Sequence, residues 1–213
     1  MKRSEMQSAA PSCCASVAVL FVRADSGYKG MVGVDCWDAD RDALTYPGGM
    51  PVVAHPPCRA WGVLAHMARP KPGERELALW AVDVVRREGG VLEHPHGSRL
   101  WREAHLPESG RLPDAWGGYT IKINQYHFGH VANKPTKLYV CGCPASCLPP
   151  IPHRGGRARK SMTGQVSGTV RCTQYEREYT PPALRAWLVE VARRTQTHNA
   201  SAEARSARAG EDA

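Results

Sequence analysis

The stretch VVAHPPCRAWG, residues 52–62, joins a short β-branched run to a loop that two prolines hold stiff. Apolar residues recur at helical spacing over 73–87, and Gly89-Gly90 ends that pattern. VLEHP, residues 91–95, is a second apolar run that closes in polar residues. Strand, loop, helix and strand in this order predict an α/β fold with a partly parallel sheet and flanking helices. Because ligands of such sheets bind at the carboxyl ends of strands, we expect both polar loops at one functional edge.

The rest of the chain adds secondary structure on both sides of this unit. Apolar or alternating runs predict four further strands and a terminal helix, at residues 17–22, 32–37, 119–123, 137–140 and 183–194. We therefore expect a single α/β domain over 16–196 with a long basic loop at 142–170. Small polar residues without apolar periodicity predict disordered segments at 1–15 and 197–213.

Positive charge dominates the composition. The 213 residues carry a formal net charge of +8 at pH 7, and HRGGRARK at 153–160 concentrates basic residues without an acid. This balance favours DNA as a partner through phosphate contacts, against the alternative of a soluble basic protein with no such partner. The longest apolar run is strand-sized and no apolar leader follows the N-terminus, so we expect no membrane association and a cytoplasmic location.

Two residues in the polar loops could carry chemistry. Cys58 could act as a nucleophile if Arg59 or a helix N-terminus lowers the pKa of its thiol, and the alternative is a buried, inert cysteine. Glu93 closes an apolar strand, where a carboxylate is costly unless it is hydrogen-bonded. It could hold or protonate a ring nitrogen, or it could be a structural carboxylate paired with an arginine.

A third polar region is NQYHFGHVANKPTKLYVCG, residues 124–142. It could form a polar, cationic wall for a base or a phosphate, or simply a basic surface loop before an edge strand. Its candidate binding residues are Gln125, His130, Lys134 and Lys137. Among the tryptophans, which are usually core residues, Trp61 is a candidate platform for a base because it lies three positions after Cys58.

The eight cysteines do not indicate disulfides in a chain of this length without an export signal. Four of them could form a tetrahedral zinc site, with His153 as a substitute ligand: Cys141, Cys143, Cys147 and Cys172. Their Cys-x-Cys-x3-Cys spacing is irregular, so zinc is not expected, and such a site would brace the long loop rather than catalyse.

In this order the three polar regions resemble the cytosine-5 DNA methyltransferase family, most of all its short, divergent phage-encoded members. Pro57-Cys58 matches the family's nucleophile loop, and Glu93-His94-Pro95 matches its glutamate strand end, with His94 in place of asparagine. A glycine turn followed by basic residues and a Leu-Tyr strand matches 128–139. The resemblance covers residues 51–141 and implies a Rossmann-like fold and, for a phage protein, the host cytoplasm.

The resemblance also implies a mechanism. Cys58 would attack carbon 6 of a cytosine flipped out of the duplex, and Glu93 would hold ring nitrogen 3, which activates carbon 5. Binding of the base and of the DNA backbone would fall to residues around these two: Arg59, Trp61, His94, Gln125, His130, Lys134 and Lys137.

The methyl donor site departs from the family pattern. S-adenosylmethionine is the donor that the resemblance implies, but the paired glycines expected after Phe21 are absent. Phe21, Asp25 and Asp35 are the candidate cofactor residues, in a fold reduced at its N-terminal cofactor half. A partner protein could supply the donor or target recognition. A base-modifying enzyme with another donor and a non-catalytic DNA-binding or anti-restriction protein remain open alternatives.

Overall fold

The computed structural model describes residues 16–63, 65–163, 166 and 168–195. The segments predicted to be disordered, 1–15 and 197–213, lie outside these residues.

Two sheets organise the chain. Their nine strands are β1 (Val17–Leu20), β2 (Val34–Trp37), β3 (Val52–Ala54), β4 (Gly90–Pro95), β5 (Tyr119–Asn124), β6 (Ala132–Asn133), β7 (Pro135–Cys141), β8 (Lys160–Ser161) and β9 (Val170–Arg171). The main sheet has the order β2-β1-β3-β4-β7-β5. Its first four strands are parallel, and β7 runs antiparallel to both β4 and β5. The predicted mixed α/β content and partly parallel sheet are confirmed.

The second sheet is small and parallel, with the order β6-β8-β9. It draws on the segment 142–170, which the sequence predicts as one long loop. The structure places β8 and the start of β9 within this segment. The sequence does not predict them, because a two-residue strand is too short to show a periodic pattern.

Within the described residues, four α-helices accompany the sheets: α1 (Glu74–Glu88), α2 (Leu100–Glu103), α3 (Gln174–Glu178) and α4 at 182–195. Gly89 and Gly90 end α1 with φ of 75° and 117°. A Cβ on Gly90 would lie 2.0 Å from the Val52 carbonyl oxygen, so only glycine lets α1 turn directly into β4 beside β3. None of the helices in the described part of the chain is both long and apolar enough to cross a membrane.

The main sheet is buried on both faces. Alternate side chains such as Leu20 and Leu92 pack with Val82 and Val85 of α1, and the opposite set, such as Val19 and Val91, packs under α4. The α4 residues at helical spacing, Leu184, Trp187, Leu188 and Val191, are all buried there. Coverage on both faces explains why β1 and β3 read as continuous apolar runs.

The strand order reverses at β1, since β2 pairs on one side of it and β3 on the other. This reversal is a topological switch point, the place at the carboxyl edge where open α/β sheets bind their ligands. Residues 21–33 connect β1 to β2 without a helix. The His55–Cys58 loop and the end of β4 lie side by side at the same edge, as the βαβ pattern predicts.

Candidate active site

A chain of five polar side chains crosses the carboxyl edge. The Tyr28 hydroxyl lies 3.0 Å from His55 Nε2, and His55 Nδ1 lies 3.1 Å from Glu93 Oε2. The other oxygen, Glu93 Oε1, accepts a hydrogen bond of 3.0 Å from Gln125 Nε2. The same nitrogen donates to Thr136 Oγ1 at 3.1 Å. Glu93 is thus the centre of a network that joins both halves of the chain.

Strand register brings His55 and Glu93 together. Ala54 of β3 pairs with Leu92 of β4, so the next residue of each strand falls opposite the other. Alternation along the strands turns both side chains toward the α4 face, where Tyr28 is buried. This is the signal in the sequence that could have identified His55, which the sequence analysis does not include among the site residues. Thr136 carries no comparable signal.

A short 3₁₀ helix, Gln125–Phe128, holds the second half of the site in place. The Asn124 side chain accepts hydrogen bonds from the backbone of Tyr126 and Lys134, and Gln125 N–H donates to the Lys134 carbonyl. Gly129, with φ of 99°, reverses the chain after the turn. These bonds fix the backbone at Gln125 and Lys134, and the Lys134 ammonium group donates a hydrogen bond of 3.3 Å to the Tyr179 carbonyl.

The Glu93 carboxyl is largely buried, with 12% of its side chain exposed. Burial alone would raise its pKa, but the hydrogen bond with His55 and the charge of Lys134 outweigh burial and lower the pKa to about 2. Glu93 is therefore an acceptor-only carboxylate at neutral pH. The Oε1 atom of Gln125 is buried and has no hydrogen-bond partner among the described residues.

Cys58 is exposed and carries a free thiol. Desolvation of the thiol by the surrounding loops is the largest effect, and it raises the pKa of this group. The negative charge of Glu93 also raises the pKa, whereas the positive charge of Lys134 lowers it. Arg59, a positive charge that could lower the pKa of this thiol, interacts electrostatically with Cys58, but its guanidinium is also held by an acid. It binds the buried carboxylate of Glu74 through two hydrogen bonds of 2.8 and 2.9 Å, which fix the loop to the start of α1.

Two predicted substrate residues are core residues. Trp61 is fully buried, its indole N–H donates to the Arg75 carbonyl at 3.1 Å, and the Arg75 guanidinium lies 4.2 Å from its ring. His94 is also fully buried, 6.4 Å from the Trp101 ring, and burial lowers its pKa to about 4. Neither ring presents a face to a ligand. The Trp61 ring is buried beneath the loop after Cys58, and the His94 ring is buried on the interior side of β4.

His130 and Lys137 also have structural partners. His130 is buried, its Nδ1 accepts from the Ala132 backbone at 3.0 Å, and its Nε2 donates to the Glu176 carbonyl at 2.8 Å. Lys137 Nζ is bound to Glu108 at 2.8 Å. The structure therefore gathers Cys58, Glu93, Gln125 and Lys134 at one site and places the remaining predicted substrate residues outside it.

The three predicted cofactor residues do not converge. Phe21 adopts a left-handed backbone with φ of 62°, and its ring packs 5.9 Å from Trp80 of α1. Asp25 is paired with Arg23 at 2.9 Å. Asp35 is paired with Arg41 and accepts a 3.2 Å hydrogen bond from the Trp37 indole.

The residues after β1 and β2 leave no open space for a nucleoside in this structure. A Cβ on Gly27 would lie 2.5 Å from the Arg185 guanidinium, so an arginine fills the space that a glycine could offer a cofactor. Asp38, which follows β2, is held by Lys29 at 2.6 Å. The polar groups at this end of the edge are thus bonded to one another rather than arranged around a nucleoside.

The predicted zinc candidates are dispersed. Cys141 and Cys143 are buried and lie near backbone carbonyls, Cys172 is buried near Glu176, and Cys147 is exposed. Within the described residues no three His, Cys, Asp or Glu side chains are grouped to hold a metal ion. A mainly apolar groove of about 760 Å³ lies along the outer strand, lined by residues of 109–121 and 142–145. It includes Cys143, one of the zinc candidates, but none of the predicted catalytic, substrate or cofactor residues.

Comparison of the chain with protein-family models, with curated proteins and with solved structures gives no significant match.

Proposed function

We propose that this protein modifies cytosine in DNA, with Cys58 as the nucleophile and Glu93 as the residue that holds the base. The observation that carries the proposal is that Cys58, in the loop after β3, and the largely buried carboxylate of Glu93, in the adjacent parallel strand β4, act electrostatically on each other, and that Lys134 acts on both. Parallel strands and the reversal of strand order at β1 support a Rossmann-like arrangement, in which this edge is the ligand-binding one.

The chemistry is addition and elimination at the pyrimidine ring. The Cys58 thiol loses its proton, the S–C6 bond forms, and electron density moves to carbon 5. Carbon 5 then takes up an electrophile. Loss of the carbon 5 proton and cleavage of the S–C6 bond restore the aromatic ring and release the thiolate.

Several features support DNA as the substrate. Arg154, Arg157 and Arg159 are exposed in the basic loop, and Arg154 contacts the 3₁₀ helix of the active site. Arg154 N–H donates to His127 Nδ1 at 3.1 Å, and the guanidinium lies 4.7 Å from the Tyr126 ring, one residue from Gln125. Exposed guanidinium groups beside a flipped base would bind the phosphates that flank it.

A donor other than S-adenosylmethionine, or a donor supplied by a partner protein, is the second candidate within this function. The observation that favours it is the filled space between Gly27 and Arg185. No step of the proposed chemistry before the electrophile depends on the donor.

Mass spectrometry of nucleosides tests the proposal without assuming a donor or a target sequence. DNA would be taken from cells that express the wild type, Cys58→Ser or Cys147→Ser, the last removing another exposed thiol as the matched control. The proposal predicts a modified cytosine with the wild type and with Cys147→Ser, and none with Cys58→Ser. Unmodified cytosine in all three, from folded protein, would instead favour the non-catalytic DNA-binding interpretation.

A further inference from the structure

The proposed contact between Glu93 and the base lacks a hydrogen-bond donor. Ring nitrogen 3 of cytosine is a hydrogen-bond acceptor, and the Glu93 carboxylate is also acceptor-only. Both Glu93 oxygens already accept hydrogen bonds, from His55 and from Gln125. For Glu93 to hold ring nitrogen 3, one proton must be added between the two acceptors.

His55 is placed to provide that proton. Its Nδ1 lies 3.1 Å from Glu93 Oε2, and its Nε2 lies 3.0 Å from the Tyr28 hydroxyl. A neutral ring with the proton on Nδ1 accepts at Nε2 from the hydroxyl, and a charged ring donates to the same hydroxyl oxygen. The imidazole can therefore gain or lose a proton without losing either partner.

We propose that His55 is the proton store of the active site, which passes a proton through Glu93 to ring nitrogen 3 of the bound cytosine. The proposal rests on the proposed function and deepens it. His55 is a positioning residue in this scheme, because it acts through Glu93, and Tyr28 keeps its ring in the required orientation.

The steps balance as follows. The Cys58 thiol releases its proton to solvent, and the thiolate forms the S–C6 bond. As electron density reaches the ring, Glu93 gives a proton to nitrogen 3 and takes the Nδ1 proton of the His55 imidazolium. The adduct is then neutral and His55 is neutral. Cleavage of the S–C6 bond returns the nitrogen 3 proton through Glu93 to His55.

Charged and titratable groups face His55 from each neighbouring element. Glu93 of β4 is the anion within hydrogen-bond distance of His55, and Lys134 is a cation that acts on Glu93 and on Cys58. Behind Tyr28, the Arg185 guanidinium of α4 lies 6.0 Å from the phenol ring.

Deuterium exchange at carbon 5 tests the proposal without any donor. Sheared DNA with unmodified cytosine would be incubated with the protein in deuterium oxide, digested, and its deoxycytidine weighed by mass spectrometry. Addition of Cys58 at carbon 6 lets carbon 5 take up a deuteron, and elimination then leaves it labelled. Wild type needs both a thiolate and an imidazolium, so its rate should be bell-shaped in pH.

His55→Asn keeps an N–H donor for Glu93 but cannot store a proton. We expect its exchange rate to fall about a hundredfold and the decrease at high pH to disappear, leaving a rate that only rises with pH. His105→Asn, at an exposed left-handed position that asparagine tolerates, is the matched control and should keep the bell. A bell-shaped profile of wild-type height in His55→Asn would overturn the proposal.

Ring-nitrogen NMR shifts of His55 separate this proposal from the proposed function. The proposal requires the neutral ring to carry its proton on Nδ1, where the Glu93 carboxylate accepts it. A neutral ring protonated at Nε2 would overturn it whether or not exchange occurs. Absence of exchange in the wild type would instead contradict the proposed function.

Discussion

The two ends of the carboxyl edge differ in how their charges are partnered. At the β1–β2 end, Asp25, Asp35 and Asp38 are each bound to a basic side chain no more than nine positions away. At the β3–β4 end, His55 and Glu93 meet across 38 positions, and Gln125 reaches Glu93 across 32. Pairs of the first kind arise from local sequence, whereas the second network exists only because the whole sheet has folded.

This contrast indicates which end of the edge has polar groups that can act on a substrate. Exposed local ion pairs satisfy their own charges and add little to stability. A tertiary network that holds one carboxylate between two donors, beside an exposed thiol, is the arrangement in which perturbed pKa values indicate a functional site. We therefore expect substitutions at the β3–β4 end to change activity and those at the β1–β2 end to leave it unchanged.

The largest effect is expected at the centre of the network. Glu93→Gln keeps the shape of the side chain but can neither carry charge nor pass a proton, so carbon 5 exchange should fall about a thousandfold. Glu108→Gln, at an exposed carboxylate, is the control and should exchange at the wild-type rate. Retention of exchange within tenfold in Glu93→Gln would remove Glu93 from the mechanism.

His94, next to Glu93 but facing the core, should affect stability instead. Its pKa is about 4 when folded and about 6.5 when unfolded, so the unfolded state binds more protons and stability rises with pH across this window. The gain should be about 3 kcal/mol between these limits. Urea unfolding of the wild type and of His94→Leu should show this slope only in the wild type; equal slopes would refute the assignment.

A third substitution compares the two ends directly. Arg59→Ala leaves the Glu74 carboxylate buried without its guanidinium and should lower the free energy of unfolding by about 2 kcal/mol. Arg41→Ala removes the partner of a more exposed acid, Asp35, and should cost clearly less. The denaturant midpoints of the two variants measure both losses of stability. Equal losses would contradict the expectation that the more buried acid depends more on its partner.

The smallest effect is expected at Asp25. Asp25→Asn removes an exposed ion pair with Arg23, so both the unfolding midpoint and the exchange rate should match the wild type. A tenfold loss of exchange with unchanged stability would mean that the β1–β2 end takes part in the reaction after all.

The β3–α1–β4 unit could be predicted from the sequence because its signals are local. A β-branched strand, a helical repeat and the Gly89-Gly90 stop each occupy a few consecutive positions. The position of β7 between β4 and β5 could not be predicted, because strand order is set by tertiary packing. The strands β8 and β9 could not be predicted either, because two residues are too few to show an alternating pattern.

At the site, residue types could be predicted better than partners. Cys58 and Glu93 stand out because Cys58 lies in the loop after one apolar strand and Glu93 closes the apolar run of another. The pairing of Arg59 with Glu74 and the burial of Trp61 depend on how the loop packs on α1, which no short-range pattern reveals. The role proposed for His55 becomes visible only when the two strand ends, VVAH and VLE, are paired in the correct register.

Carbon 5 exchange by the wild type and by Cys58→Ser, with Cys147→Ser as control, tests the central claim most directly. The account predicts deoxycytidine heavier by one mass unit with the wild type and the control, and no label with Cys58→Ser. Equal labelling by all three proteins, or none by a folded wild type that binds DNA, would contradict covalent attack by Cys58.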